Sequence, residues 1–245
     1  MNTPKTFHFS GKETSPLLRS AIKSLSTTAT IMDLGCGEGG VLFDLIQHKT
    51  FSETHKIIAV DNDPARLKIT QKRLGKKVQI ITDDVNKLKK LQDNSCDLIC
   101  CLMVIEHLEE PQKMIAQIKR CLKPNGLLYL TTIIRKPYGY YFYKNANGER
   151  TLDPAHIHEF ANIPEITDLV CPQGFETIQH KKKTTTFSVL ESAFQIFARL
   201  SWLNSANSRD IFSNYRFLNF LRNKIKVPII GFYDFEGLFR INNSN

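Results

Sequence analysis

The sequence contains no CxxC pair, no internal repeat and no low-complexity tract. It also has no run of 18 uncharged apolar residues, so no membrane span is expected. Met1 to Lys12 is polar and lacks the apolar region of a secretory signal. The six cysteines (Cys36, Cys96, Cys100, Cys101, Cys121, Cys171) stand mostly in apolar contexts, where cysteine behaves as a small hydrophobe. That usage points to a reducing cytoplasm and away from a disulfide framework or a zinc site. Acid is scarce in one place. From Lys181 to Lys226 there are nine Lys or Arg against two acids, so this span carries most of the +9 net charge. An anionic partner is expected to meet it there.

At 245 residues the chain can bury one sizeable core. The most informative stretch is Thr30-Ile31-Met32-Asp33-Leu34-Gly35-Cys36-Gly37-Glu38-Gly39-Gly40, followed by apolar Val41 to Ile46. Strand, tight glycine turn and helix is the layout of a nucleotide-binding crossover. Glycine permits positive φ and lets a ligand approach the backbone. Gly35, Gly37 and Gly40 also satisfy G-x-G-x-x-G, which alone is compatible with a dinucleotide. Two details weigh against that. Asp33 before the first glycine would repel a pyrophosphate, although it could accept from an ammonium. Asp61, the next acid after a strand, lies 26 residues past Gly35, further than the roughly 20 of a dinucleotide fold.

Met32 to Gly39 resembles motif I of the class I S-adenosylmethionine (SAM) dependent methyltransferases, and Ile58-Ala59-Val60-Asp61 resembles their ribose-binding motif. Asp83-Asp84-Val85 is similar to the adenine-contacting motif, with either aspartate eligible and Asp84 preferred. Asp97 to Cys101, a helix from Pro111 to about Leu122, the turn Lys123-Pro124-Asn125-Gly126 and Leu127 to Ile133 match the fourth and fifth units of that fold. The resemblance implies a doubly wound, mostly parallel, seven-stranded α/β Rossmann-like sheet. It places SAM against Asp33, Gly35, Cys36, Gly37, Gly39, Asp61, Asn62, Asp83, Asp84 and Val85. Asp33 would meet the amino group, Asp61 the ribose, and Asp63 would cap the following helix.

Val104-Ile105-Glu106-His107-Leu108 is similar to the ubiquinone-biosynthesis O-methyltransferases, which implies a small or lipid-linked hydroxyl acceptor. His107, His156 and His158 are the candidate bases, with Glu106 as an orienting carboxylate. Some relatives hold a divalent metal with Glu-x-x-Glu-His. Here Met103 takes the first place, and no metal is expected.

The chain is expected to be one domain, with a SAM-binding core at about 28–134. A helical insertion before the last strand is expected at about 185–227. Its first helix would carry Phe187, Leu190, Phe194 and Phe197, and its second, from about Asp210 to Lys224, Phe212, Tyr215, Leu218 and Leu221. A lid, a dimer surface and peripheral contact of 187–226 with anionic membrane are the readings of that insertion. No nucleic-acid-reading motif accompanies its charge. The rivals in other classes are an NAD-dependent oxidoreductase and a non-catalytic SAM-binding module.

Overall fold

The structure is a computed structural model that describes residues 14–138, 141, 143–190 and 215–242. Seven strands form one sheet: β1 (Thr30–Leu34), β2 (Lys56–Asp61), β3 (Gln79–Thr82), β4 (Cys96–Leu102), β5 (Leu122–Arg135), β8 (Phe175–Ser188) and β9 (Lys226–Ile241). Their spatial order is β3-β2-β1-β4-β5-β9-β8. The first five are parallel, and β9 runs antiparallel to both β5 and β8. β6 (Tyr143–Lys144) and β7 (Arg150–Thr151) make a separate small hairpin.

Helices cover both faces, which explains why β1 and β2 read as apolar runs without alternation. On one face α4 (Pro111–Cys121) and α5 (Ile163–Val170) bury Met114, Ile115, Ile118, Ile166 and Val170 against Met32, Leu34, Ile99 and Leu128. On the other, α1 (Pro16–Lys23) and α2 (Gly40–Gln47) pack Leu18, Ile22 and Leu45 against Ile31, Leu98 and Tyr129. α3 (Pro64–Leu74) extends that layer over β2 through Leu67 and Leu74.

Local chemistry sets the helix starts. Ser15 caps α1, accepting from Leu17 N, with Pro16 at the first position. Asp63 caps α3 as expected, accepting from Ala65 N and Arg66 N, and Asn162 caps α5, accepting from Glu165 N.

Two sequence-based boundaries shift. Lys123-Pro124-Asn125-Gly126 lies inside β5. Cys96 pairs with Leu122 and Leu98 with Leu127, so the extra residues bulge, and Asn125 takes φ 62°. The insertion is also shorter than expected. β8 continues through Phe187 to Ser188 because it pairs with the start of β9, Phe187 opposite Val227 and Ser188 opposite Lys226. Phe187 is thus a strand residue. The second helix, α6 (Arg216–Lys224), has Tyr215 at its N-cap. Phe194, Phe197 and Phe212 lie outside the described residues.

Candidate active site

Strand order reverses between β1 and β4, where β2 and β3 lie to one side and β5 to the other. In such sheets ligands bind beyond the carboxyl ends of the strands at this switch point. Asp33 stands near the end of β1, and the glycine loop follows it. Gly35 N and Cys36 N both donate to the Val60 carbonyl, at 2.8 and 3.0 Å, which closes the turn onto β2. Asp61 spans the two loops. Its Oδ2 accepts from Gly37 N at 2.8 Å and its Oδ1 from Asp63 N at 3.0 Å.

Asp33 is 3 % exposed, and its Oδ2 is buried with no hydrogen-bond partner among the described residues. Desolvation, with the Asp61 charge adding to it, pushes its pKa up to about 7. A buried acceptor lacking a donor is costly by itself. A cationic donor would both satisfy it and favour the ionised form, so an amino acid ammonium fits this position. Asp61 retains a lone pair on each oxygen for a diol, because each accepts one backbone N–H among the described residues.

The glycines serve the loop differently from expectation. Gly35, Gly37 and Gly39 take φ of 74°, 54° and 71°, where glycine is favoured. Yet the space a Cβ would occupy is filled by the protein: Val104 at Gly35, Arg66 at Gly37 and Thr70 at Gly39. Close helix and loop packing therefore requires these glycines before any ligand is considered. Cys36 is buried and its Sγ–H donates to the Gly37 carbonyl at 3.8 Å, while Asn62 is exposed.

On the adenine side, both aspartates hold their own loop. Asp83 accepts from Asp84 N and Lys90 N. Asp84 accepts from Asn86 N and pairs with Lys87 at 3.1 Å, and these contacts lower its pKa. Val85 does not stand free to cover a ring. It is 9 % exposed and packs in the core with Leu88 and Leu91, because the loop turns inward after Asp84.

A second cluster lies past β4, where Ile105–His107 forms a 3-10 turn. Glu106 is fully buried, and its Oε2 accepts from Thr132 Oγ1 of β5 at 2.9 Å. Burial raises its pKa; its own backbone, His107 and His156 oppose that rise. Its Oε1 has no hydrogen-bond partner among the described residues. The Glu106 carbonyl accepts from Ile157 N and His158 N, which brings the segment 155–159 over the turn. His107 Nδ1 sits 3.1 Å from the Ala155 carbonyl and His156 Nδ1 2.8 Å from Glu159 Oε1. Both contacts select the tautomer with Nδ1 protonated, leaving each Nε2 as an acceptor. The two rings meet edge to face at 4.9 Å.

Of the four groups singled out from the sequence as candidate bases and orienting carboxylate, the fold brings Glu106, His107 and His156 together, and two placements differ from expectation. His158 is exposed and turns to the Glu109 carbonyl at 3.4 Å, outside the cluster. Glu106 does not orient a histidine; Glu159 orients His156, and a backbone carbonyl orients His107. Glu159 and Thr132 were missed. The signal for Glu159 was the His-x-x-Glu spacing from 156 to 159, while Thr132 had none. One ligand atom from each of Glu106, His107 and His156 lies within 4.8 Å of the others, a spacing able to hold a cation. Beside the cluster a cavity of about 290 Å³ is lined by Arg135, Glu149, Thr151, Ile157, His158 and Glu159.

Comparison with known proteins converges on this part of the chain. Residues 32–130 match the methyltransferase domain family. The chain is 27% identical over 123 residues to rat thiol S-methyltransferase TMT1B, covering 48% of each. It is 29% identical over 116 residues to the ubiquinone biosynthesis O-methyltransferase of Pseudomonas paraeruginosa, covering 46% of this chain and 48% of that one. The chain thus spans about half the length of the curated relatives it matches. Among solved structures, Haemonchus contortus phosphoethanolamine N-methyltransferase 2, bound to S-adenosylhomocysteine, aligns with TM-score 0.61 at 16% identity. That alignment covers 93% of this chain and 52% of the other. The [4+2]-cyclase SpnF aligns with TM-score 0.60 at 16% identity, over 92% of this chain and 79% of that one. At such identity these likenesses speak for the fold alone. The segment that matches the methyltransferase domain holds Asp33, the glycine loop, Asp61 and the Glu106-His107 turn, and through it this chain is similar to the SAM-dependent methyltransferases.

Proposed function

We propose that the protein transfers a methyl group from SAM to a hydroxyl of a small or lipid-linked acceptor. The observation that carries this is the pairing of two sites at one sheet edge. Near the end of β1 stands Asp33, whose buried Oδ2 has no hydrogen-bond partner among the described residues, and past β4 and β7 stand His107 and His156, each with Nδ1 engaged and Nε2 left as an acceptor. SAM, when bound, supplies a methyl on a positively charged sulfur, so the protein has mainly to align the acceptor and exclude water. Asp33 takes the ammonium of the methionine end, and Asp61, held by Gly37 N and Asp63 N, takes the ribose hydroxyls. Asp84 is the preferred holder of the adenine edge, with Asp83 the alternative. His107 Nε2 receives the acceptor's proton, since its Nδ1 is committed to the Ala155 carbonyl. His156, fixed by Glu159, packs against it and holds the ring in place.

A thiol acceptor would need the same proton removal, and relatives of both kinds are known by name. The test uses labelled SAM with paired phenol and thiol acceptors. Transfer to the phenols that falls about 100-fold in His107→Ala, with S-adenosylhomocysteine binding unchanged, supports the reading. Transfer to thiols only, or undiminished transfer in the variant, sinks the hydroxyl assignment.

One observation favours a second reading of the cluster. Glu106, His107 and His156 offer three acceptors and no donor toward one point, and each imidazole is tied behind by a carbonyl or carboxylate. A divalent cation there would bind the acceptor oxygen and lower its pKa. Activity abolished by a chelator and restored by magnesium or zinc would select this reading over the base.

The cap surface is the remaining part of the proposal. Around α6, Tyr215, Phe217, Phe220, Ile225 and Val227 are exposed, and Lys224 lies over the Phe220 ring at 5.7 Å. Apolar residues beside basic ones suit peripheral contact with an anionic membrane, from which a lipid-linked acceptor would be drawn. Salt-sensitive sedimentation with anionic vesicles tests that contact.

A further inference from the structure

We propose that Lys136, Lys182 and Tyr233 form a subsite for an anionic group, a carboxylate or a phosphate, carried by the methyl acceptor at the end remote from the accepting atom. The proposal rests on the methyltransferase reading above and names its substrate class. Lys136 follows the last residue of β5, at the sheet edge where ligands bind, and is 8 % exposed. Among the described residues no carboxylate lies within ion-pair distance of its ammonium; its contact is the ring of Tyr233, 4.3 Å from the centroid. Lys182 approaches the same ring at 4.6 Å. Two ammonium groups on one ring repel each other, and the ring quadrupole offsets only part of the cost of drying the buried one. An anion between or beside them removes both penalties.

The arrangement is selective. Of three successive lysines on β8, Lys181 and Lys183 pair with Glu236 at 3.2 and 3.5 Å. Lys182 faces the other side of the strand and remains without such a partner among the described residues. The backbone that presents Lys136 is held on both sides. Lys136 N donates to the Gly231 carbonyl at 2.6 Å, and Tyr141 Oη–H donates to the Lys136 carbonyl at 2.6 Å. Tyr138 Oη lies 3.5 Å from Tyr233 Oη, so a second phenol stands at the same place as a donor. A cation fixed in this way is prepared for a ligand, since little ordering remains to be done on binding.

The position also sets a length. Thr132 holds Glu106, and Thr132, Ile134 and Lys136 alternate onto one side of the chain. Four residues at strand rise place Lys136 roughly 13 Å along the chain from Thr132, the residue that holds Glu106. The acceptor is thus an extended molecule, acidic at one end and methylated at or near the other.

The test uses the full chain saturated with S-adenosylhomocysteine and titrated with inorganic pyrophosphate at low salt. Lys136→Met, Lys182→Met and Lys183→Met are compared. The proposal expects binding that falls at least tenfold in the first two variants and less than twofold in Lys183→Met. Equal loss in all three would mean a diffuse positive field and overturn it, as would binding unchanged in Lys182→Met, whose exposed position keeps folding out of question. Binding to phosphatidylglycerol vesicles that pyrophosphate does not displace would assign the charge to a membrane surface and likewise overturn it. S-adenosylhomocysteine binding is read separately in each sample. Its absence would sink the methyltransferase reading, whereas its presence without pyrophosphate binding sinks only the subsite.

Discussion

Asp33 shows how a single buried carboxylate can be costly to the ligand-free fold. Its pKa rises from 3.8 to about 7, mainly because burial disfavours the charged form and secondarily because Asp61 is near. The folded state therefore binds the proton more tightly than the unfolded chain. Below about pH 4 both states are protonated and there is no penalty. Between pH 4 and 7 the unfolded chain ionises first, so stability falls as pH rises, and above 7 the loss is constant, on the order of 4 kcal/mol. Asp33→Asn is expected to be more stable than wild type at pH 8 and equal to it at pH 4 in ligand-free denaturation. If Asp33 takes the ammonium as proposed, the same variant should bind S-adenosylhomocysteine at least tenfold more weakly, since it loses that charge. If its stability falls in parallel with wild type between pH 4 and 8, Asp33 is not the titrating group. A carboxylate just before a glycine loop is readable from the chain as a repeller of pyrophosphate; its missing partner is not.

At the scale of elements, the glycine loop is a joint between α2 and α3 as much as a ligand cradle. Gly39 caps α2 at φ 71°, and a Cβ there would lie 2.8 Å from Thr70 Cγ2 and 3.1 Å from Leu74 Cδ1. Gly39→Ala is expected to cost about 2–4 kcal/mol in chemical denaturation, summing backbone strain and overpacking. Part of that cost should return when Thr70→Ala is added, less what is lost with the Thr70 Oγ1 bond to the Gly37 carbonyl. A loss below about 0.5 kcal/mol would contradict the packing described here. Strands β1, β2 and β4 and helices α1, α3 and α4 were legible because apolar runs, Pro at helix starts and capping residues are local signals. The ends of β8 and β9 were not. Phe187 has helical spacing with Leu190, but its backbone is fixed by pairing with Val227, forty residues away.

Across the whole molecule, the site depends on loops brought together by strand order. Asp33 and Asp61 stand at the carboxyl ends of β1 and β2 and Glu106 just past β4; the three strands are neighbours in the sheet although these residues are up to 73 apart in the chain. S-adenosylhomocysteine at 100 times its dissociation constant is expected to stabilise the fold by about 2.7 kcal/mol, visible as a rise in melting temperature. Asp61→Ala should lower the ligand-free midpoint, by leaving Gly37 N without its acceptor, and should shrink the ligand-induced rise. A full rise in that variant would remove Asp61 from the ligand set.

The chain by itself carried the resemblance to methyltransferase motifs, the succession of strands and helices as far as β5, and the place of Asp33 and Asp61 at strand ends. These follow from periodicity and from residues adjacent in sequence. Only tertiary structure decided which histidines act together. His107 and His156 meet because the Glu106 carbonyl takes two amides from 157 and 158, while His158, two residues on, faces Glu109. Only tertiary structure, too, left Lys136 buried on Tyr233 without a counter-charge among the described residues, because β9 returns antiparallel beside β5. Contacts across such returns depend on register and burial, which no local run of residues encodes.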